Sequence, residues 1–391
     1  MPYLWVFATG RIKNMAFKYR ILAIDGGGIR GVIPAYILQE FEARLGRAVY
    51  QTFDIVAGTS TGGIISLGLT SPPSTFVPGY PVVPYAATQI LSFYMNDEAQ
   101  LFVEQASGDY YAAKYYAINN STQPPTGIEP WLQGKLGSWT LRQACKNMGQ
   151  LQKATVKQVL VTCYTMSGDK INGAKDSQVA IGPYLFNWES AMNGDDEDYC
   201  IWEAARATSA APTFFPIARV GNGAPNGSMA LARWAADGGV AANNPALYAL
   251  AAARKADPSL TLDEIFILSL GTGIYNPAIK ISYEDKTGNW GAIPWMLEGE
   301  DANGHSTSPL LNVLSMSNVL APCQQLGDLM PSGNYYRLEP QISYAESGMD
   351  AKDVQALFDT AKNYITTGDG APNFEAVIKA LQAGQPASGP S

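Results

Sequence analysis

The sequence predicts an α/β fold built on a mainly parallel sheet, and three observations carry that prediction. Short apolar runs alternate with stretches of helical period, an order that sets strands parallel with helices packed on the sheet. Two of the runs end in glycine-rich turns, DGGGIRG and GTSTGG, after which helices begin. With 391 residues, 47% of them apolar and 15% charged, the chain can bury a large core and lacks the composition of long disordered segments.

In chain order, RILAI (20–24) reads as a buried strand. VIPAYILQEFEARLG (32–46) follows as a helix, because Ile33, Ile37, Phe41 and Leu45 recur at helical spacing and Gly46 stops it. FDIVAG (53–58) is a second strand and TGGIISLGL (61–69) a second helix. A Pro-rich loop leads to a helical stretch, ATQILSFYMNDEAQLFV (87–103). QVLVTCYTM (158–166) and PYLFNWES (183–190) are read as strands, and DYCIWEAARATSAA (198–211) as a helix that ends before Pro212. After Asp237, Asn244 caps a helix with Pro245 at its first position. EIFILSLGTG (264–273) is a further buried strand ending in glycines. Beyond it only helices are expected, at 310–320, 352–365 and 373–384. The expected division is an N-terminal extension outside the fold (1–16), a catalytic domain (17–275), and a lid-like loop with a helical C-terminal extension packed on it (276–391), ending in a disordered tail.

A net charge of −8 argues against general attraction to nucleic acid or anionic membrane. The four cysteines, Cys145, Cys163, Cys200 and Cys323, form no C-x-x-C pair, so neither a zinc site nor a disulfide framework is expected. There is one histidine, His305, which rules out a multi-histidine metal site. No metal or cofactor is expected. No run approaches the ~18 apolar residues of a membrane span. The N-terminal charges Arg11 and Lys13 follow an apolar run instead of preceding it, unlike a signal peptide. A cytoplasmic protein is expected, with peripheral membrane contact or secretion without a signal peptide left open.

Gly58, Ser60 and Gly62 form G-x-S-x-G between an apolar strand and a helix, the context of a nucleophile elbow. A serine nucleophile needs a base. His305 lies in the polar segment EDANGHSTSP, where a lone histidine reads as a surface residue. The alternative is a carboxylate held close to the serine oxygen, with strong stabilisation of the oxyanion. Asp237, before Gly238 and Gly239, lies on a loop at a sheet edge, although locally it also fits an ordinary Asp-Gly turn. Gly26, Gly28 and Gly31 fit G-x-G-x-x-G, which by itself suits a dinucleotide or an oxyanion. Asp54 sits at a strand's start and makes a poor ribose ligand.

DGGGIRG, GTSTGG, ATSAAPTFFP, DGG followed by NNP, and ILSLGTG occur in that order and together resemble the patatin-like phospholipases over roughly residues 19–275. The resemblance implies a three-layer α/β/α fold and hydrolysis of fatty-acyl esters by a Ser-Asp dyad. Carried onto this chain, it makes Ser60 the nucleophile, Asp237 the general base, and Gly26, Gly27 and Gly28 the oxyanion loop. Arg30 then either supports that loop, contacts a phospholipid phosphate, or pairs with Asp25. The implied partner is a membrane lipid or lipid aggregate, with a small-molecule or protein activator conceivable; the oligomeric state has no signature in the sequence. Acyl transfer by the same dyad, and a storage or signalling role with vestigial hydrolysis, are the alternatives. FVPGYPVVPY (76–85) and NWGAIPWMLEG (289–299) are candidate lid or membrane-contact loops, or else buried anchors.

Overall fold

The structure, a computed structural model, describes residues 17–74, 81–105, 112–168, 179–224, 226–281, 291–296 and 299–384. The expected extension at 1–16, the tail after 384, Trp290 and the first half of the Pro-rich loop lie outside the described residues.

β1 (Tyr19–Ile24) is buried on both faces: Leu22 and Ile24 enter one apolar cluster, Ile21 and Ala23 the other. The chain turns through Asp25 and the glycines into α1 (Val32–Leu45), which stops at Gly46 in a left-handed conformation. β2 (Ile55–Thr59) lies parallel to β1, and α2 (Thr61–Thr70), buried along its whole length, leaves from its end. The stretch expected as one helix over 87–103 is α3 (Ala87–Asn96) followed after Asp97 by a short turn of helix. α4 (Ile128–Leu136) and β3 (Gln158–Gly168) follow. β4 (Gly182–Asn187) covers only the first part of the expected 183–190 strand; the Asn187 side chain accepts from Ser190 N–H and starts a helix instead. Next come α5 (Ile201–Thr208), β5 (Ala218–Val220), β6 (Arg233–Asp237), α6 (Ala246–Ala256) and β7 (Ile265–Leu270). α6 begins one residue later than expected, with the Asn244 side chain accepting from Ala246 N–H at 3.0 Å. α7 (Pro309–Leu329), β8 (Tyr335–Leu338), α8 (Val354–Thr366) and α9 (Ala371–Ala383) complete the set.

The main sheet has eight strands. β8, β7, β1, β2 and β3 are parallel in that spatial order, and β4, β6 and β5 add antiparallel pairs. α6 and part of α7 pack on one face, and α1, α2, α3, α5, α8 and α9 on the other, giving three layers, α/β/α. Neither α4, β5 nor β6 was expected from the sequence, nor was β8. It places four residues from beyond position 275 inside the sheet, so the boundary drawn there cuts through the sheet. Its four residues, YYRL, carry a charge at the third position and are too short to show a period.

One detail of the pairing positions the site. β4 pairs with residues 160–165 of β3, overlapping the spans paired by both β2 (158–162) and β6 (163–168). A strand has two edges, so β2 and β6 must share the edge of β3 that β4 leaves free. They approach along it from opposite directions. β2 ends at Thr59 opposite Thr162, and β6 ends at Asp237 opposite Cys163. Ser60 and Asp237 therefore meet end to end.

Candidate active site

Ser60 is the first residue after β2, with φ 53° and ψ −122°. A non-glycine residue at that φ is strained, and the turn holds it there so that the side chain stands clear of strand and helix. Gly58 makes the turn possible, because a Cβ on it would lie 2.1 Å from the Gly62 carbonyl oxygen. The Ser60 N–H donates to Thr208 Oγ1 at 2.7 Å, which fixes the backbone of the turn to the end of α5.

The Ser60 hydroxyl donates to Asp237 Oδ2 at 2.6 Å. Oδ1 of the same carboxylate accepts the Gly239 N–H at 2.7 Å. Both side chains are buried. Burial pushes the Asp237 carboxyl up to about 6, against the opposing pull of the Ser60 hydroxyl, the Gly239 amide and the Arg206 guanidinium. Arg206 is itself fully buried between Glu129, at 3.0 Å, and the Pro216 carbonyl, at 2.7 Å. Gly238 packs against Thr162, next to the end of β2.

The three loop glycines do not have equal roles. Gly26 N–H donates to Asn243 O at 3.3 Å, and its carbonyl accepts from Thr272 Oγ1 at 2.8 Å and Asn243 Nδ2 at 3.3 Å. A Cβ on Gly26 would sit 3.0 Å from the Cβ of Ser60, so the loop lies directly against the serine. The N–H groups of Gly27 and Gly28 have no partner among the described residues. Gly31 packs against Thr61 and Tyr94 where the loop enters α1.

Arg30 does not pair with Asp25. Its guanidinium donates to the carbonyls of Gly27 at 3.2 Å and Gly273 at 3.1 Å, tying the glycine loop to the loop after β7. Asp25 instead receives Arg337 Nη2 from β8 at 2.6 Å. His305 lies with Asp301 (3.1 Å), Tyr275 (2.9 Å) and the stacked ring of Tyr344, and no bond joins it to Ser60 or Asp237. Asp54 is taken up by Arg20 and Lys157 at the start of β2.

Ser60 opens into a cavity lined almost wholly by apolar groups, among them Ile64, Phe93, Leu101, Trp131, Phe214 and Met349. Phe214 and Phe215 of ATSAAPTFFP both wall the cavity. Thr208, Asn243 and Thr272, which lie within ATSAAPTFFP, NNP and ILSLGTG, and Met349, which lies in no quoted motif, also serve the site; none of the four was assigned a role from the sequence. Of the two aromatic loops, residues 81–85 and 291–296 are described, and neither lines this cavity. No helix among the described residues is long and apolar enough to cross a membrane.

The family model for patatin-like phospholipase matches residues 22–250. Patatin-T5 from Solanum tuberosum is 30% identical over 71% of this chain, and the match spans 66% of that relative, just under two thirds of its length. Patatin-1-Kuras 2 from the same plant is 27% identical over 82% of this chain and 78% of its own. A solved structure, VipD from Legionella pneumophila, aligns with 88% of this chain and 67% of its own at 12% identity and a TM-score of 0.34, too low to bear on the fold. The family match covers more than half of the chain, including the glycine loop, the elbow serine and the Asp-Gly-Gly turn: the chain belongs to the patatin-like phospholipase family.

Proposed function

We propose that this protein is a lipid acyl hydrolase of the phospholipase A or lysophospholipase type, working through an acyl-serine on Ser60 with Asp237 as the general base. The observation that carries the reading is the 2.6 Å hydrogen bond from the Ser60 hydroxyl to a buried carboxylate at the floor of an apolar cavity. A carboxylate raised to about 6 is a better proton acceptor near neutral pH than an exposed one near 4.

In the first step Ser60 Oγ attacks the ester carbonyl carbon and its proton passes to Asp237. The free amides of Gly27 and Gly28 suit the oxyanion that forms; Gly26, its amide already engaged, shapes the loop. The C–O bond to the alcohol or lysolipid breaks, and the proton on Asp237 goes to the leaving oxygen. Water then attacks the acyl-serine, gives its proton to Asp237, and the collapsing intermediate returns that proton to Ser60 as the fatty acid leaves. The apolar wall suits an acyl chain and offers nothing to a nucleotide phosphate.

The test is hydrolysis of p-nitrophenyl esters and a panel of phospholipids, galactolipids and glycerides. Ser60→Ala and Asp237→Asn each lose at least about a thousandfold in kcat while remaining folded. His305→Gln keeps wild-type turnover. Near-normal activity in either dyad variant, or a comparable loss in His305→Gln, contradicts the assignment.

A further inference from the structure

One wall of the cavity comes from outside the matched family region. Met349 belongs to the segment between β8 and α8, and it lines the same cavity as Ser60 and Phe214. Two attachments flank the side of this segment that meets the cavity. At one, the Met349 carbonyl accepts the Ile29 N–H at 2.8 Å, just after the glycine loop. Gly28 has φ +60°, and a Cβ there would lie 2.1 Å from that carbonyl oxygen, so only glycine admits the contact. At the other, the Asp350 carboxylate accepts from Lys114 Nζ and from the Tyr115 hydroxyl. The Tyr115 ring is fully buried beside Phe102, Phe214 and Phe215, and its backbone N–H donates to Phe214 O at 2.8 Å. Lys114 N–H donates likewise to Thr213 O at 2.8 Å.

The segment thus spans from the glycine loop to the aromatic wall, and Met349 is the residue it inserts. Methionine fills irregular space with little strain and gives way readily, which suits a wall that meets chains of varied shape. We propose that Met349 is a specificity-determining residue that sets acyl-chain preference, and that Asp350 is a positioning residue that holds it in place. This rests on the acyl-hydrolase reading of the cavity. It goes further by assigning substrate selection to a strap that the family motifs do not include.

The experiment measures kcat/KM for p-nitrophenyl butyrate, octanoate and palmitate with wild type, Met349→Ala, Met349→Trp, Asp350→Ala, Asp350→Glu and Ser60→Ala. Contacts of one methylene in an apolar pocket discriminate by about tenfold or more. Met349→Ala is expected to raise the palmitate-to-butyrate ratio, and Met349→Trp to lower it, each by about tenfold. Asp350→Ala moves the ratio toward that of Met349→Ala, and Asp350→Glu restores it. A merely structural role for Asp350 would lower the melting temperature and the active fraction while leaving the ratio unchanged. If wild type is active, Ser60→Ala is dead, and the ratio stays within about twofold of wild type in both folded Met349 variants, the Met349 proposal fails alone. If wild type hydrolyses none of the esters, or Ser60→Ala matches it, the reading of the site fails first.

Discussion

As the proposed base, Asp237 faces two opposed demands, since a base must be ionised while burial disfavours the charge. Its carboxyl is raised to about 6 by burial, with Ser60, Gly239 and Arg206 offsetting part of that cost. With Asp237 as the proposed base only its ionised form can take the Ser60 proton, so kcat/KM should fall as pH drops through about 6, where an exposed aspartate would hold activity to about 4. The stability effect has the opposite sense. Below the unfolded value near 4 both states carry the proton; between about 4 and 6 only the folded state does, so stability is lost as pH rises through that window. Asp237→Asn should therefore melt a few degrees higher than wild type at pH 8 and gain less at pH 5. Calorimetry at the two values checks this, and a lower melting temperature at pH 8 counts against an ionised buried carboxylate. Ser60 stood out in the sequence through its strand-turn-helix context, whereas Asp237, locally an ordinary Asp-Gly turn, stood out only through the family resemblance. Thr208 and Thr272 lie inside the quoted ATSAAPTFFP and ILSLGTG, but no local pattern gives them a role, because they reach Ser60 and Gly26 across 148 and 246 residues.

At the scale of the element, β1, β2, β3 and β7 and most helices followed from apolar runs and periodicity, whereas α4, β5, β6 and β8 did not, and β8 is the informative case. It lacks a legible period because it is short and carries Arg337, whose side chain is only 15% exposed. That guanidinium reaches Asp25 at 2.6 Å and Ser269 Oγ at 2.7 Å, and it also pairs with Glu339. Burial pushes the Asp25 carboxyl upward and Arg337 pulls it back, so the first acid of the glycine motif depends on a strand residue 312 positions away in sequence. Asp25 Oδ1 has no hydrogen-bond partner among the described residues. Removing one member of a buried pair strands the other, typically at about 3–5 kcal/mol. Arg337→Met should lower the melting temperature sharply, and adding Asp25→Asn should recover part of the loss. Additive losses in the double variant would mean that the two groups do not depend on each other.

At the scale of the whole molecule, the question is where the folding unit ends. The family motifs stop near 275, yet the sheet and its covering layer do not. β8 pairs with β7 over four residues. α8 and α9 cover α1: Phe358 packs against Tyr36, and Phe374 stacks on Phe41 at 4.6 Å. α9 alone buries Phe374, Val377, Ile378 and Leu381. At about 1.5–3 kcal/mol for each side chain, their burial is together comparable to the whole net stability of a domain, about 5–15 kcal/mol. A chain ending at 275 would in addition leave the β7 edge unpaired, which invites aggregation. It should be recovered insoluble, and a chain ending at Thr366, which keeps β8 and α8 but lacks α9, should show no cooperative melt at 25 °C. Soluble yield and circular-dichroism melts of the two truncations decide the point. A soluble 17–275 fragment that melts cooperatively and hydrolyses esters through Ser60 would make the C-terminal part a separable addition. The geometry points the other way, because the strand that holds Asp25 and the strap that walls the cavity both lie beyond 275.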